Sequence, residues 1–250
     1  MSIFASKTGL NSTTGRQTDA IVTTNLTGEW RASTGGAQTH YWDNEVGSGN
    51  NLRKYNSISK TNSGSLHYWT PDGTDDYLGA ASTDYGGSPF TIASGSAFTL
   101  AQWYRHVTNK NHIAFSLNAS DSDVMKLTIG IDSENKFSLT ASQAADEFNY
   151  TFANGTWYYI ALVYHGSNNY SFFVNGSFVG AASNTTGSQT CNLQIGKLAA
   201  SATYTESGPR FGDVHVYDAA VGGSVLRTNF DAIHKPYSTR LFGDSFTAGS

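Results

Sequence analysis

Three aspartates, Asp72, Asp75 and Asp76, lie within five residues of one another in the segment PDGTDDYL. Proteins hold Ca²⁺ with several hard oxygen ligands, commonly a mixture of carboxylates and backbone carbonyls. The three carboxylates supply part of such a shell, and Asp213 or Asp218 from a later segment would add to it. Asp72, Asp75, Asp76 and Asp213 are therefore candidate Ca²⁺ ligands. The alternative is that Asp72 caps its own turn, Asp76 pairs with a basic residue, and no metal binds.

Aromatic rings beside carboxylates form a second candidate site, because rings stack on sugars and carboxylates accept hydrogen bonds from sugar hydroxyls. Trp42 is followed by Asp43, and Asp43 and Glu45 would share one face of an extended strand. Tyr104 is a further aromatic candidate, and His106 lies close to it in the run FTLAQWYRH. We take Trp42, Asp43, Tyr104 and His106 as candidate ligand-binding residues. The alternative for the carboxylates is a solvated loop. Tyr158, Tyr164 and Tyr170 are further candidates to line a concave glycan-binding face, and the alternative for them is packing in the core or on a sheet face.

The seven histidines do not cluster at the spacing of metal ligands. His106 and His112 flank the turn VTNKN, and His215 lies in a late apolar run. As the alternative to a ligand-binding role, each of them is expected to be a half-buried strand residue.

The elements that would position these residues are clearest between Asn154 and Ala182. Two apolar runs, Trp157 to His165 and Tyr170 to Val174, are separated by polar residues, and the dipeptide Asn-Gly follows them. Asn-Gly accepts the positive φ angles of a type I′ turn and is a strong hairpin signal. Both faces of the first run are apolar. A strand of this kind is covered on both sides, so we place it in the middle of a β-sandwich or barrel.

Short apolar runs with frequent turn residues continue through most of the chain, a pattern typical of a sandwich or jelly roll. The further predicted strands are Ala20–Leu26, Leu66–Trp69, Tyr77–Leu78, Phe98–His106, His112–Leu117, Lys126–Ile131, Phe137–Ala141, Phe148–Phe152, Leu193–Ile195 and Phe211–Tyr217. Residues 28–65 give no clear pattern. One short helix is predicted at Ser224–Ile233, between a Gly-Gly pair and Pro236.

Composition narrows the class of protein. Only 14% of the residues are charged, against about 25% in a typical globular protein, and a net charge of −4 gives no electrostatic footprint for nucleic acid. Cys191 is the one cysteine, so an intramolecular disulfide is impossible. The first residues lack the features of a signal peptide, and no apolar stretch reaches the ~20 residues of a membrane span. We therefore expect a virion-surface or extracellular β-protein that binds neither nucleic acid nor membrane.

The order of these segments resembles the laminin-G-like branch of the concanavalin A-like lectin/glucanase superfamily. Four places carry the resemblance: PDGTDDYL at 71–78, FTLAQWYRH at 98–106, the hairpin unit at 154–182, and LQIGKLA with RFGDVHVYDAAVGGSVLRTNFDAI between 193 and 233. The resemblance implies an all-β fold, an antiparallel two-sheet jelly-roll sandwich with one short C-terminal helix. It also implies carbohydrate or protein binding and frequent Ca²⁺ sites, so Ca²⁺ is the one candidate cofactor.

Catalysis has weaker support. Hydrolysis of a glycosidic bond needs two positioned carboxylates, and glucanases that resemble this family carry them as Glu-x-Asp-x-x-Glu, a string that this sequence lacks. Gly243-Asp244-Ser245 resembles the first block of the SGNH (GDSL) hydrolases, in which the serine is the nucleophile. A serine also needs a base and an oxyanion hole, and the later blocks of that family do not occur in these 250 residues. We therefore predict no catalytic residue; the alternative is the front part of a longer SGNH-type esterase.

These observations predict three regions: an N-terminal arm at 1–19, a jelly roll at 20–235, and a C-terminal tail, or the start of a missing domain, at 236–250. The function we expect is non-catalytic recognition or structure, as a virion (phage) decoration or fibre component with glycan binding as a further role. The alternative is a free carbohydrate-binding module. The expected partners are other virion or surface subunits and a glycan, in a homo-oligomer or a larger assembly.

Overall fold

A computed structural model describes residues 21–34, 41–46, 51–64, 66–80, 90–92, 96–107, 112–119, 122–129, 137–141, 144–148, 150–183, 189–197 and 204–243. In these ranges the chain forms seventeen β-strands, paired antiparallel in two sheets, and one helix. The predicted all-β sandwich is confirmed. The arm at 1–19 and Ser245 lie outside the described residues, and the three predicted regions stay predictions.

Sheet I holds eight strands. They are β1 (Leu26–Trp30), β4 (Ser59–Ser63), β5 (Leu66–Thr70), β8 (Phe98–Arg105), β13 (Trp157–Tyr164), β14 (Asn169–Val174), β15 (Ser177–Ser183) and β17 (Arg210–Tyr217). Their order is β15-β14-β13-β8-β17-β5-β4, and β1 also pairs with β17. The strand β13 therefore lies in the interior of this sheet, between β14 and β8.

Sheet II holds nine strands. They are β2 (Tyr41–Trp42), β3 (Leu52–Tyr55), β6 (Tyr77–Ala80), β7 (Phe90–Ile92), β9 (His112–Ala119), β10 (Ser122–Ile129), β11 (Phe137–Ala141), β12 (Ala144–Phe148) and β16 (Gln189–Ile195). Their order is β12-β11-β10-β9-β16-β6-β3-β2, and β7 also pairs with β16. Residues 28–65, which gave no clear pattern, thus contain β2, β3 and β4.

Both faces of β13 are covered, as its sequence predicts. All eight of its residues are buried. The even-numbered residues pack in the inner core, which lies between the two sheets and includes Leu78 and Leu117 of sheet II. The odd-numbered residues pack in the outer core, between sheet I and the helix α1 (Gly223–Gly243). Burial of a large apolar side chain stabilises a fold by about 1.5–3 kcal/mol, so β13 anchors two cores at once.

The first predicted strand, Ala20–Leu26, is wrong in position. The strand β1 begins at Leu26, where the prediction ended. Asn25 has a φ of 62°, and the Leu26 N–H donates to the Thr23 carbonyl at 3.1 Å. A positive φ turns the chain out of the extended conformation, and Ile21 and Val22, the described apolar residues before it, form no strand.

The predicted strand Phe148–Phe152 is also wrong, because β12 ends at Phe148. Phe152 is fully buried in the inner core without belonging to a strand. Its ring meets those of Tyr104 and Tyr158 edge-on, with centroid distances of 6.3 and 4.9 Å. Aromatic residues that are buried from a loop therefore produced the same local pattern as a strand.

The helix is longer than its prediction of Ser224–Ile233. It runs from Gly223 to Gly243 and continues through Pro236. A proline removes one backbone hydrogen bond and commonly kinks or ends a helix, but here it is accommodated. Phe230 of the helix stacks on Trp103 of β8, with ring centroids 5.5 Å apart.

Within the described ranges, no helix combines the length and the apolar composition that crossing a bilayer demands.

The Asn175-Gly176 turn is confirmed, with φ angles of 54° and 78°. The Asn175 side chain accepts a hydrogen bond from the Tyr159 N–H at 2.8 Å, and the Asn175 N–H donates to the Tyr159 carbonyl at 2.8 Å. A Cβ atom at Gly176 would lie 2.5 Å from the Cα of Arg227 in α1. The turn therefore needs glycine for its conformation and for the close approach of the helix.

We expect Gly176→Ala to lower the free energy of unfolding by about 2 kcal/mol or more, because a left-handed alanine costs about 1–2 kcal/mol and its methyl group would press on α1. Urea denaturation measures the loss. Gly64→Ala is the matched control, since Gly64 has a φ of 63° with no atom within 4 Å of its added Cβ. Equal losses of unfolding free energy in the two variants would show that the contact with α1 does not contribute to stability.

Candidate functional site

Two of the predicted ligand-binding residues, Trp42 and Tyr104, lie in the inner core with 0% of each side chain exposed. The Trp42 Nε1–H donates to the Arg31 carbonyl at 2.8 Å, and its ring packs against Trp69 at a centroid distance of 5.6 Å. A sugar can stack only on a ring face that is open to solvent. The predicted stacking role of Trp42 and Tyr104 therefore does not fit this structure.

His106 and His112 are fully buried rather than half-buried, and they meet at one hydroxyl. The Tyr104 hydroxyl lies 3.0 Å from Nδ1 of His106 and also contacts Nδ1 of His112. Burial raises the pKa of Tyr104 well above its ordinary value, so the phenol stays neutral and acts as a hydrogen-bonding link. The predicted ligand-binding residue His106 is thus part of a polar group inside the core.

We expect Tyr104→Phe to lower the free energy of unfolding by about 1–3 kcal/mol, because it leaves buried imidazole nitrogens without the hydroxyl. Urea denaturation with tryptophan fluorescence measures the change. Tyr164→Phe is the control: the Tyr164 hydroxyl accepts one longer, part-buried bond from the Asn168 N–H at 3.3 Å, and its loss is expected to cost less than about 1 kcal/mol. A Tyr104 variant as stable as the wild type would contradict the linking role.

Asp43 and Glu45 do not share a strand face, because β2 ends at Trp42 and both acids follow it in a loop. The half-buried Asp43 accepts a hydrogen bond from the Asn51 side chain at 3.2 Å. The Glu45 N–H donates to the Glu29 carbonyl at 2.7 Å. Both acids thus lie in a loop, as the alternative interpretation expected, and their hydrogen bonds connect this loop to Asn51 and Glu29.

The acidic turn comprises Asp72, Asp75 and Asp76, and one carboxylate oxygen from each lies within 4.8 Å of the others. Both oxygens of the buried Asp76 accept backbone N–H bonds, from Ser57 at 2.8 Å and from Asp72 at 3.1 Å. Oδ1 of Asp72 accepts the Thr74 N–H at 2.7 Å. Burial raises the pKa of Asp76, and its two backbone bonds oppose that shift. Asp72 thus caps its own turn, and Asp76 pairs with the backbone rather than with a basic residue.

The fit of this turn to Ca²⁺ is partial. Three clustered carboxylates match the preference of the cation for hard oxygen ligands, but backbone N–H groups already hold Asp76. The fourth predicted ligand, Asp213, is not part of the cluster. Its Oδ1 accepts the Ala32 N–H at 2.7 Å instead, beside β1. Ca²⁺ binding stays a prediction, which a calcium titration of thermal unfolding tests.

A surface that the sequence did not single out lies on the outer face of sheet II, and we call it the tyrosine patch. Its members are half-buried aromatic and basic side chains: Arg53, Tyr55, Tyr77, Lys197 and Tyr204. The Tyr55 and Tyr77 rings are stacked, 4.1 Å apart and 4° from parallel. The Tyr204 ring lies 6.1 Å from Tyr77 on its other side. Three rings from distant segments thus form one continuous aromatic surface.

Strand alternation and register place these rings. Leu52 of β3 and Leu78 of β6 point into the inner core, so Tyr55 and Tyr77 point outward. The two tyrosines are direct partners in the β3–β6 pairing. Gly79 lies beneath them, where an added Cβ would be 3.2 Å from the Tyr77 ring and 3.3 Å from the Tyr55 ring. The glycine therefore lets the rings lie close to the sheet.

Two cations border the patch. The Lys197 ammonium lies 4.5 Å from the centroid of the Tyr77 ring and 5.4 Å from that of Tyr204. The Arg53 guanidinium lies 4.9 Å from the centroid of Tyr55. Burial, with the neighbouring Tyr55 and Tyr204, raises the pKa of Tyr77 above its ordinary value. Its hydroxyl therefore stays protonated at neutral pH, and the patch combines aromatic rings, hydroxyls and positive charge.

These features define a class: a two-sheet antiparallel sandwich that presents an aromatic surface on one outer face. A family model described as the concanavalin A-like lectin/glucanases superfamily (Laminin_G_3) matches residues 72–224. The match covers more than half of the chain, and the protein belongs to this family. No curated protein was found to match the chain in sequence.

Solved structures share the fold at low sequence identity. The binding domain of botulinum neurotoxin serotype G superposes with a TM-score of 0.63 at 11% identity, over 84% of this chain and 52% of that chain. Trypanosoma rangeli sialidase in complex with sialic acid gives a TM-score of 0.61 at 12% identity, over 89% of this chain and 34% of that chain. The chain therefore spans about half the length of the first neighbour and a third of the second. Identities this low establish the fold alone.

Proposed function

We propose that this protein is a carbohydrate-recognition domain whose ligand lies on the tyrosine patch. The observation that carries the proposal is the continuous surface of three tyrosine rings bordered by Lys197 and Arg53. Tyrosine supplies a large, rigid contact area at low conformational-entropy cost, and its hydroxyl can both donate and accept hydrogen bonds. A sugar ring presents the complementary surfaces, namely apolar C–H faces and a rim of hydroxyls.

The rings of the patch are held in place before any ligand arrives. Tyr55 and Tyr77 are fixed by mutual stacking and by the β3–β6 register, and Lys197 by its backbone bridge to Tyr204. A preformed surface loses little conformational entropy on binding. The family name includes lectins, and the sialidase neighbour was solved with sialic acid bound. Both are consistent with glycan recognition, although a fold by itself does not fix a function.

Our proposal is recognition rather than catalysis. Glycoside hydrolysis needs two carboxylates that reach the scissile bond from either side. Asp72 and Asp76 of the acidic turn accept backbone N–H bonds, and the buried Asp213 accepts the Ala32 N–H. Release of reducing sugar from the glycans that bind would overturn this part of the proposal.

A place on a virion surface, as a decoration or fibre subunit, stays a prediction from composition. The comparisons describe the fold and give this role no support. Deletion of residues 1–19 followed by light scattering tests the predicted anchoring arm, and an unchanged assembly would count strongly against it.

We expect Tyr204→Ala and Tyr55→Ala to weaken glycan binding about tenfold or more, because aromatic anchors at the centre of an interface carry most of its energy. A glycan array selects the ligand, and titration calorimetry measures the affinity of each variant. Far-ultraviolet circular dichroism and thermal unfolding verify that the variants are folded.

Phe178→Ala is the matched control for these variants. Phe178 is 61% exposed, and it belongs to β15 of the other sheet. Its removal takes away an exposed aromatic ring without touching the patch, so binding should not change. If the Phe178 variant lost affinity and the tyrosine variants did not, the ligand would bind elsewhere on the molecule.

A further inference from the structure

The position of Lys197 indicates the charge of the sugar ligand. The Lys197 ammonium lies over Tyr77 and Tyr204, and the residues that the structure describes include no carboxylate paired with it. A cation over an aromatic face gains about 0.5–1 kcal/mol at an exposed site. The ring faces attract the ammonium electrostatically, but they do not neutralise its charge, so an anion can still bind it.

From this arrangement we infer that the ligand of the tyrosine patch is an acidic glycan, whose carboxylate or sulfate group is bound by Lys197 between Tyr77 and Tyr204. The inference rests on the proposed function and adds the chemical class of the ligand. The sugar ring that carries the anion would pack against the edges of the stacked Tyr55 and Tyr77 rings and against Tyr204.

The nearby acidic turn opposes an anion at this point, but one of its three carboxylates, that of Asp76, is buried. Lys197 follows Gly196, which lies against the backbone of Asp76, so the acidic turn is next to the patch. The carboxylate of Asp76, however, is buried and bonded to the backbone N–H groups of Ser57 and Asp72. These bonds hold that charge within the turn. Lys197 therefore remains the charged group that meets a ligand on the rings.

Substitution of the neighbouring Asp75 provides a test in which the affinity for an anion should rise rather than fall. Its backbone carbonyl accepts a bond from Asn56 at 2.6 Å, and its N–H lies 3.4 Å from Oδ1 of Asp72. These backbone bonds do not need the Asp75 carboxylate. Asp75→Asn therefore removes one negative charge close to the patch without removing the bonds that hold the turn. If the ligand is an anion, this substitution should strengthen its binding.

The experiment compares ligands that differ in charge alone. Titration calorimetry is run on the full chain with a galacturonic acid oligosaccharide, with its methyl ester, and with a sulfated oligosaccharide of similar length. We expect the acid or the sulfated sugar to bind at least tenfold more tightly than the ester. The stronger of the two identifies the source of the anion. Raising the salt concentration from about 50 to about 500 mM should weaken the charged ligand and leave the ester unchanged, because salt screens exposed charges.

The variants locate the effect. Lys197→Gln should reduce the affinity for the charged sugar to that for the ester, Lys197→Arg should keep most of it, and Asp75→Asn should raise it about twofold. Equal binding of acid, ester and sulfated sugar, or an unchanged Lys197→Gln variant, would overturn the inference. If neutral sugars bound and depended on Tyr55 and Tyr204, the proposed function would stand without the acidic class. If no glycan bound at all, both would fail.

Discussion

Burial of β13 on both of its faces is the constraint on which the rest of the structure depends. A strand that is apolar on one side needs one partner layer, whereas β13 needs sheet II on its inner side and α1 on its outer side. The next two strands of the sheet, β8 and β17, repeat the arrangement, with Leu100 and Val216 in the inner core and Trp103 and Tyr217 in the outer core. The helix is therefore a third layer of the fold.

This layering leaves the two outer surfaces unequal. The outer face of sheet I is covered by α1 and by the segment around Ile21. The part of sheet II formed by β3 and β6 presents tyrosines outward instead. Alternation explains the difference, because Leu52 and Leu78 are required by the inner core and their neighbours must then point away from it. The tyrosine patch is thus the reverse side of residues that hold the sandwich together.

The sequence predicts the elements whose information is local. The hairpin after β13 is specified by two apolar faces and the Asn175-Gly176 dipeptide, and both are confirmed. The site depends on information that is not local. Tyr55, Tyr77 and Tyr204 come together through the register of β3 with β6 and a bridge at Lys197, and no single segment shows that pairing. The burial of Trp42 likewise depends on contacts with distant residues such as Trp69. The local sequence could therefore not distinguish it from an exposed tryptophan that stacks on a sugar.

The distribution of charge separates recognition from catalysis in this molecule. Glu29, opposite His215 in the β1–β17 pairing, contacts the Arg31 guanidinium, and Asp213 holds the Ala32 N–H. The Asp213 bond fastens the residues just after β1 to β17, and a buried charge is stable only when it is paired or hydrogen-bonded. Lys197 lies instead at the surface on aromatic rings. The aromatic rings hold this ammonium without neutralising its charge, so it is suited to binding an external anionic group.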